Sequence, residues 1–411
     1  MFPTARSTIR PYLAMLLWAL IASSSSRVLA LEPSGLAFGG GWTLLPSVQY
    51  GVVEDSNAYL QSESNKENVT ITRIRPQVLL QLDTPKALME FSYELEQGAY
   101  SNNANDNYTD QFFNLTGVRS FGRRLEGSVD ASYVLGHDAR GAGVDEGITA
   151  IEDVFYPDKY RTLTVGGSLD FGADASFLGS RFYSSVMDKN YLNNYDRGTA
   201  NREYQEVTAG NLFSFYVSPI TDIVLEARWA RIDYESPEEV AQLKEGWKQT
   251  YLAGASWDLT GKTTGSMKLG LTTRSFDDRL VPDNSSFSWE GSIVWTPKAH
   301  SEFSLDTSRG FNETSGAGVY VLTSELSSSW NHRFSVFIAT EMSFGFRMDE
   351  IYSNNVVERT DDIFSSDFSF IYSPSRSMDI DVGVSFDRRV SEEDRLDYDR
   401  MVFSLGLTLG V

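Results

Sequence analysis

Met378-Asp379-Ile380-Asp381-Val382-Gly383-Val384-Ser385-Phe386-Asp387 alternates apolar and polar residues without a break. Successive side chains of a strand point to opposite faces. One face therefore carries Met378, Ile380, Val382, Val384 and Phe386, and the other carries Asp379, Asp381, Gly383, Ser385 and Asp387. A single strand of this kind also suits a soluble sandwich. Its neighbours decide the matter. Met401, Phe403, Leu405, Leu407 and Leu409 repeat the pattern in the next segment, which reads as the strand that closes the sheet. Paired runs recur at intervals of roughly forty residues back to Leu44. Tight polar turns separate them, as in Thr84-Pro85-Lys86-Ala87, Ser218-Pro219-Ile220-Thr221, Thr296-Pro297-Lys298-Ala299 and Ser373-Pro374-Ser375-Arg376. No helical layer is available to cover such a sheet, and closure on itself hides its edges. A sandwich of this size would divide into domains, and no linker divides this chain.

Short turns fall near 83–86, 122–124, 171–175, 218–221, 260–262, 296–299, 330–332 and 373–376. Longer connections fall near 62–67, 101–110, 136–158, 191–201, 235–247, 277–284, 311–316, 348–360 and 390–395. Their alternation predicts an all-β, transmembrane, antiparallel up-and-down β-barrel of about eighteen strands (16–18), with short periplasmic turns and longer extracellular loops. Tyr93, Tyr133, Trp229, Trp257, Trp295 and Tyr372 sit on the outward register near strand ends, as an interfacial aromatic girdle requires. Ser236, Pro237, Glu239 and Gly246 form a helix start-and-stop signature in one long loop, with Val240, Leu243 and Trp247 to pack it on the rim.

Residues 1–30 read as a signal peptide: Arg6 and Arg10 precede the apolar run Tyr12 to Ala22, and Val28-Leu29-Ala30 fits a cleavage site. Residues 31–43 then form a short periplasmic N-terminal segment, and 44–411 the outer-membrane β-barrel. This places the protein in the outer membrane of a Gram-negative bacterium, in contact with its lipid bilayer. There is no cysteine, so no disulfide holds an exported chain together. The negative mean hydropathy fits a barrel whose lipid-facing band is every second residue. Removing the leader's Arg6, Arg10 and Arg27 takes the formal charge from −21 to −24. A chain this acidic excludes nucleic acid as a partner on electrostatic grounds.

The inward register supplies candidate lumen-lining residues: Glu90, Glu94, Glu226, Arg228, Glu302, Asp306, Glu341, Arg347, Asp379 and Asp381. Acids outnumber bases there, and carboxylate rings favour cations in a pore. A barrel of sixteen to eighteen strands keeps an aqueous channel. The long loop 136–158 is placed to fold into the mouth and narrow it. Catalysis has little support. His137 lies in that loop, and His300 and His332 lie at periplasmic turns, a spread that does not converge on one site. No nucleophile–base–orienter set appears, and the reading is of a protein that is not an enzyme. No cofactor and no metal cluster is expected. A plug domain is not expected either, since only residues 31–41 precede the first strand.

The first strand, Leu44-Leu45-Pro46-Ser47-Val48-Gln49-Tyr50-Gly51-Val52-Val53-Glu54-Asp55-Ser56-Asn57-Ala58-Tyr59-Leu60, opens with a proline and closes on Asp55-Ser56-Asn57 and an aromatic. With the Ser-Pro and Thr-Pro hairpins that follow, it resembles the putative beta-barrel porin 2 family over nearly the whole mature chain. The triplet also has a plain reading as Asx-type hydrogen bonding at a strand end. The resemblance implies an outer-membrane barrel associated with capsule and exopolysaccharide systems, working with a periplasmic polysaccharide export or co-polymerase protein. It implies no catalytic residues. Three functions stay open: a conduit for polysaccharide, a general or cation-selective diffusion porin for small solutes, and a closed structural or adhesive barrel with ligand-binding loops. Fold alone does not choose among them.

Overall fold

The computed structural model describes residues 34–411 apart from 148–153, 173–176, 237, 260, 315 and 354. The predicted signal peptide, Pro237 and the middle of loop 136–158 thus lie outside the described residues. The strands begin with β1 Leu36–Ala37, β2 Trp42–Asp55, β3 Val69–Thr84, β4 Ala87–Tyr100, β5 Tyr108–Ser120 and β6 Leu125–Asp138. They continue with β7 Asp158–Phe171, β8 Leu178–Tyr191, β9 Tyr204–Ser218, β10 Thr221–Tyr234, β11 Gly246–Leu259 and β12 Thr263–Phe276. The last are β13 Asn284–Lys298, β14 Ser301–Glu313, β15 Tyr320–Arg333, β16 Ile338–Ser353, β17 Val356–Ser375, β18 Met378–Ser391 and β19 Tyr398–Gly410.

From β2 onward each strand pairs antiparallel with its sequence neighbours, and β19 returns to β2 from Val402 opposite Asp55 to Gly410 opposite Ser47. The eighteen strands β2–β19 form a closed ring. β1 pairs Leu36 with Leu44 and Ala37 with Thr43, beyond the point where β19 stops. The first barrel strand thus starts at Trp42, two residues ahead of the expected boundary at 44, and part of the 31–43 segment is itself paired.

The ring has an apolar convex face and a polar concave one. Leu405 and Phe344 are each 56% exposed, as residues that meet lipid are when lipid is absent. The girdle aromatics share that face in stacked rows: Tyr93 on Phe113 at 4.5 Å, and Trp295, Phe303 and Trp330 in series at 5.2 and 5.8 Å. Most of the buried apolar clusters lie near the long-loop rim, and Ala339 with Ile371 forms one at the short-turn rim. At the long-loop rim one joins Val53, Ala58, Tyr59, Val69, Ile71 and Val154, and another joins Ile232, Tyr234 and Ala241.

The turns explain themselves locally. Thr84 Oγ1 donates to the Ala87 carbonyl and accepts from the Ala87 N–H, closing the β3–β4 hairpin. Pro297 and Pro374 do not sit in their turns. They lie in β13 and β17 at register shifts between Trp295 and Lys298 and between Tyr372 and Ser375. A residue without an N–H fits a bulge, where the ladder is already interrupted.

Two connections differ from expectation. The loop placed at 348–360 is only 354–355, because β16 and β17 run on past the apolar band to Ser353 and from Val356. Its charges, among them Asp349, Glu350 and Arg359, resemble a loop in composition yet are held in the ladder, with Glu358 at a register shift between the two strands. The helix expected across 236–246 is one turn, Glu239–Gln242, with the Glu238 N–H donating to Ser236 Oγ at 3.3 Å. Trp247 belongs to β11 and is 44% exposed, so it does not pack that turn.

Candidate functional site: the barrel interior and its mouth

The polar face is the inner one, because its side chains converge across intervening strands. Arg228 on β10 donates from Nη2 to Glu290 Oε1 on β13 at 2.6 Å, with β11 and β12 between them. Tyr234 on β10 donates to Glu313 on β14 at 2.6 Å. Side chains on a convex face diverge and make no such spans.

By register, all ten candidate residues lie on this inner face. Glu90 faces Gln81 and Thr116 and accepts from Gln81 Nε2 at 2.7 Å. Glu94 faces Gln77. Glu302 and Glu341 both face Asn331, one from each side, and Asp306 faces Ser292 and Ser327. Arg347 faces Glu325 and reaches Asp349 Oδ2 at 3.0 Å. Asp379 accepts from the Ser373 hydroxyl, and Asp381 accepts from Gln49 Nε2 at 3.1 Å. Glu226 and Arg228 join a larger group. Arg228 Nη2 lies 3.0 Å from Glu226 Oε1, Lys268 Nζ bonds Glu226 Oε2 and Glu290 Oε2 at 2.5 Å each, and Tyr183 Oη donates to Glu226 at 2.5 Å.

Sequence reasoning missed Arg181, Lys189 and Lys248, which lie on the inner face opposite Asp170, Thr162 and Arg274, as well as the acids Asp55 and Glu206. The parity of β8 fixed by its exposed Phe182 and Val186 carried that signal for Arg181 and Lys189. His300 and His332 do come together, rings 5.4 Å apart at adjacent hairpin ends. His137 stays at the opposite rim, with Nδ1 2.9 Å from Asp110 Oδ2. Among the described residues no group of His, Asp and Glu is arranged to hold a metal.

The mouth is crossed by the segment between β6 and β7. Its Arg140 donates from Nε and Nη2 to the two Asp106 oxygens, each at 2.6 Å, and from Nη1 to the Val154 carbonyl at 2.9 Å. Its guanidinium lies 4.5 Å over the Tyr59 ring, and Tyr59 Oη donates to Asp106 at 2.7 Å. Burial first, then donation to Asp106, pushes the Tyr59 phenol up to about 12. Burial works to lower Arg140, and the hydrogen bonds and charge of Asp106 outweigh it, so its pKa rises. Gly141, at φ +86°, passes so close to Tyr59 that a Cβ would lie 2.0 Å from its carbonyl oxygen.

Further on, Asp145 pairs with Arg197. Glu146 pairs with Arg389 on β18 and with Arg359 Nη2 on β17 at 3.2 Å. Arg389 also donates to Asp361 at 2.5 Å. β18 is six strands round the ring from β6 by the shorter arc. Glu146 thus reaches a third of the way round the opening, and a Cβ on Gly316, between β14 and β15, would lie 3.2 Å from the Gly143 carbonyl oxygen, so the segment acts as a strap.

A family model described as putative beta-barrel porin 2 matches residues 30–410. The chain belongs to that family. This porin 2 barrel is accordingly an outer-membrane β-barrel, porin-like or transporter-like. No curated protein sequence matches it. Among solved structures it is similar to the siderophore receptor PirA from Pseudomonas aeruginosa, at 9% identity over 90% of this chain and 80% of that one, TM-score 0.44. It is also similar to Pseudomonas aeruginosa OprD, at 9% identity over 93% and 98% of the two chains, TM-score 0.44. The copper transporter OprC gives 10% identity over 92% and 82%, TM-score 0.44. Likenesses this distant carry no argument about cargo.

Proposed function

We propose that this barrel is an outer-membrane conduit for exported polysaccharide, closed at its extracellular mouth by the strap until it is loaded from the periplasm. The observation that carries the reading is the strap itself, tied by Arg140 to Asp106 and by Glu146 to Arg389 over a hydrophilic interior. A solute that diffuses freely needs no such tie. A polymer that passes rarely, and in one direction, needs a mouth that is sealed between passages. Below the strap, the Ser, Thr, Asp, Glu and Tyr side chains offer many weak hydrogen-bonding sites. Conduction requires contacts of that kind, strong enough to enter and weak enough to leave. A periplasmic polysaccharide export or co-polymerase protein is the partner that would deliver the chain to the short-turn rim.

The test is secretion. A strain lacking the protein is expected to retain its exopolysaccharide, and the wild-type chain to restore export. Normal secretion by the deletion strain would remove this reading. A second reading, a cation-selective diffusion porin, is favoured by the acids of the lower interior, Glu90, Glu302, Asp306 and Glu341 among them. It predicts a steady cation-selective current from the untreated barrel in planar bilayers.

A further inference from the structure

Halfway along their strands, Tyr183, Glu226, Arg228, Lys268 and Glu290 meet on the inner wall. We infer that this group is a saccharide-binding shelf in the middle of the lumen, with the Tyr183 ring as the platform for one sugar unit. The inference rests on the export reading for its cargo and adds the place where that cargo is held.

Three features of the group argue for a ligand. First, Tyr183 lies flat across the facing strand. A Cβ on Gly210 would sit 2.3 Å from the Tyr183 Cζ, so the ring occupies the space a side chain would fill. The ring is half-buried, so part of its surface stays open on the inner side of the wall. An aromatic face with a fixed hydroxyl is an amphipathic surface, apolar enough to pack against the C–H groups of a sugar ring. Second, the charges cancel, with two carboxylates against one guanidinium and one ammonium. A neutral group holds no ion of either sign by net attraction, yet it offers donors and acceptors side by side, as neighbouring sugar hydroxyls require. Third, the heads are not sealed in. The side chains of Arg228 and Glu290 are 29% and 34% exposed.

Lys268 and Glu290 face each other on adjacent strands, and a simple wall brace would stop at such a pair. Here Arg228 passes over β11 and β12 to reach Glu290, which projects the group into the opening. The Nε–H of Arg228 has no acceptor among the described residues. Loss of the Tyr183 platform should remove the apolar contact, and loss of its hydroxyl alone should not.

The experiment uses the full refolded chain in detergent, titrated with maltohexaose, cellohexaose and an oligogalacturonate by calorimetry, with saturation-transfer NMR as a second readout. The wild-type barrel is expected to bind a neutral hexasaccharide, and Tyr183→Ala to weaken that binding by about tenfold. Tyr183→Phe should stay within about threefold of wild type, because it keeps the platform. Gly210→Ala, which dislodges the ring, should behave like Tyr183→Ala. Each variant must keep the heat-modifiable gel shift of a folded barrel. Wild-type protein that binds none of the three oligomers, or a Tyr183→Ala variant that binds as wild type does, overturns the shelf. Binding of the acidic oligomer alone also overturns it, since charge would then be the attraction. Secretion separates the two claims. If the deletion strain loses export while Tyr183→Ala binds sugar and exports normally, the shelf falls and the conduit stands. If the deletion strain exports normally while the purified barrel binds sugar through Tyr183, the shelf stands and the conduit falls.

Discussion

Asp55 holds the seam of the barrel. Both of its oxygens accept from Arg400 Nε at 3.0 Å, Nη2 adds a contact at 2.6 Å, and Oδ1 also accepts the Asn57 N–H at 3.0 Å. Ser56 and Asn57 complete the join: Met401 N–H donates to Ser56 Oγ at 2.7 Å, and Asn57 Nδ2 donates to the Asp399 carbonyl at 2.9 Å. The sequence showed this triplet as a strand-end hydrogen-bonding motif, and the Asn57-to-Asp55 bond is that motif. Closure put the last strand across the join, but nothing in the sequence named Arg400, 345 residues away, as the partner of Asp55. Replacing Asp55 with Ala leaves Arg400 without its main partner and should cost about 3 kcal/mol. Urea titration followed by the folded-band shift on unboiled gels reads that loss, and an unchanged midpoint would refute it. Tyr59 gives a pH prediction. Its folded pKa lies near 12, above the ordinary phenol value of 10.0. Its contribution to the mouth is therefore complete below pH 10 and fades as pH rises through about 12. The difference between the phenolate titrations of the wild-type and Tyr59→Phe barrels should be one tyrosine that ionises late, and a difference centred at the ordinary phenol value would refute it.

Among the elements, the strap is the one whose behaviour can be moved alone. Glu146→Gln keeps the shape of the side chain and removes the charge that meets Arg389 and Arg359. The expected result in planar bilayers is frequent opening in place of a silent barrel, by about tenfold in open time for a loss of roughly 1.4 kcal/mol. A Glu146→Gln barrel as silent as wild type would show that the charge does not hold the strap. The length of 136–158 and its placement near the mouth were legible in sequence. The partners were not, since Glu146 meets residues more than 200 positions onward. Strand identity was legible from period-2 alternation, and strand extent was not. β16 and β17 continue beyond the apolar band, where Asp349, Glu350, Glu358 and Arg359 carry no alternation to follow. Pro297 and Pro374 marked the right rim of the barrel, and a bulge displaced each from the turn it was read into.

At the scale of the whole molecule, closure was legible because turns and loops alternate, which fixes an even strand number before any register is known. The interior was legible through parity alone, and the same parity places Arg181, Lys189 and Lys248 there. Those bases do not reverse the acid excess of the chain, whose formal charge is −21. A barrel opened by strap removal is therefore expected to prefer cations. The reversal potential across a potassium chloride gradient measures this directly, and an anion-selective sign would contradict it. The strap has one more consequence. Through Tyr59, Asp106 and Arg197 it draws three distant loops, and through Arg359 the end of β17, into a single outer relief. An antibody raised against that relief would recognise a discontinuous epitope that exists only while the mouth is shut. Its binding to living cells would fall during export, which makes the cell surface itself the readout of the gate.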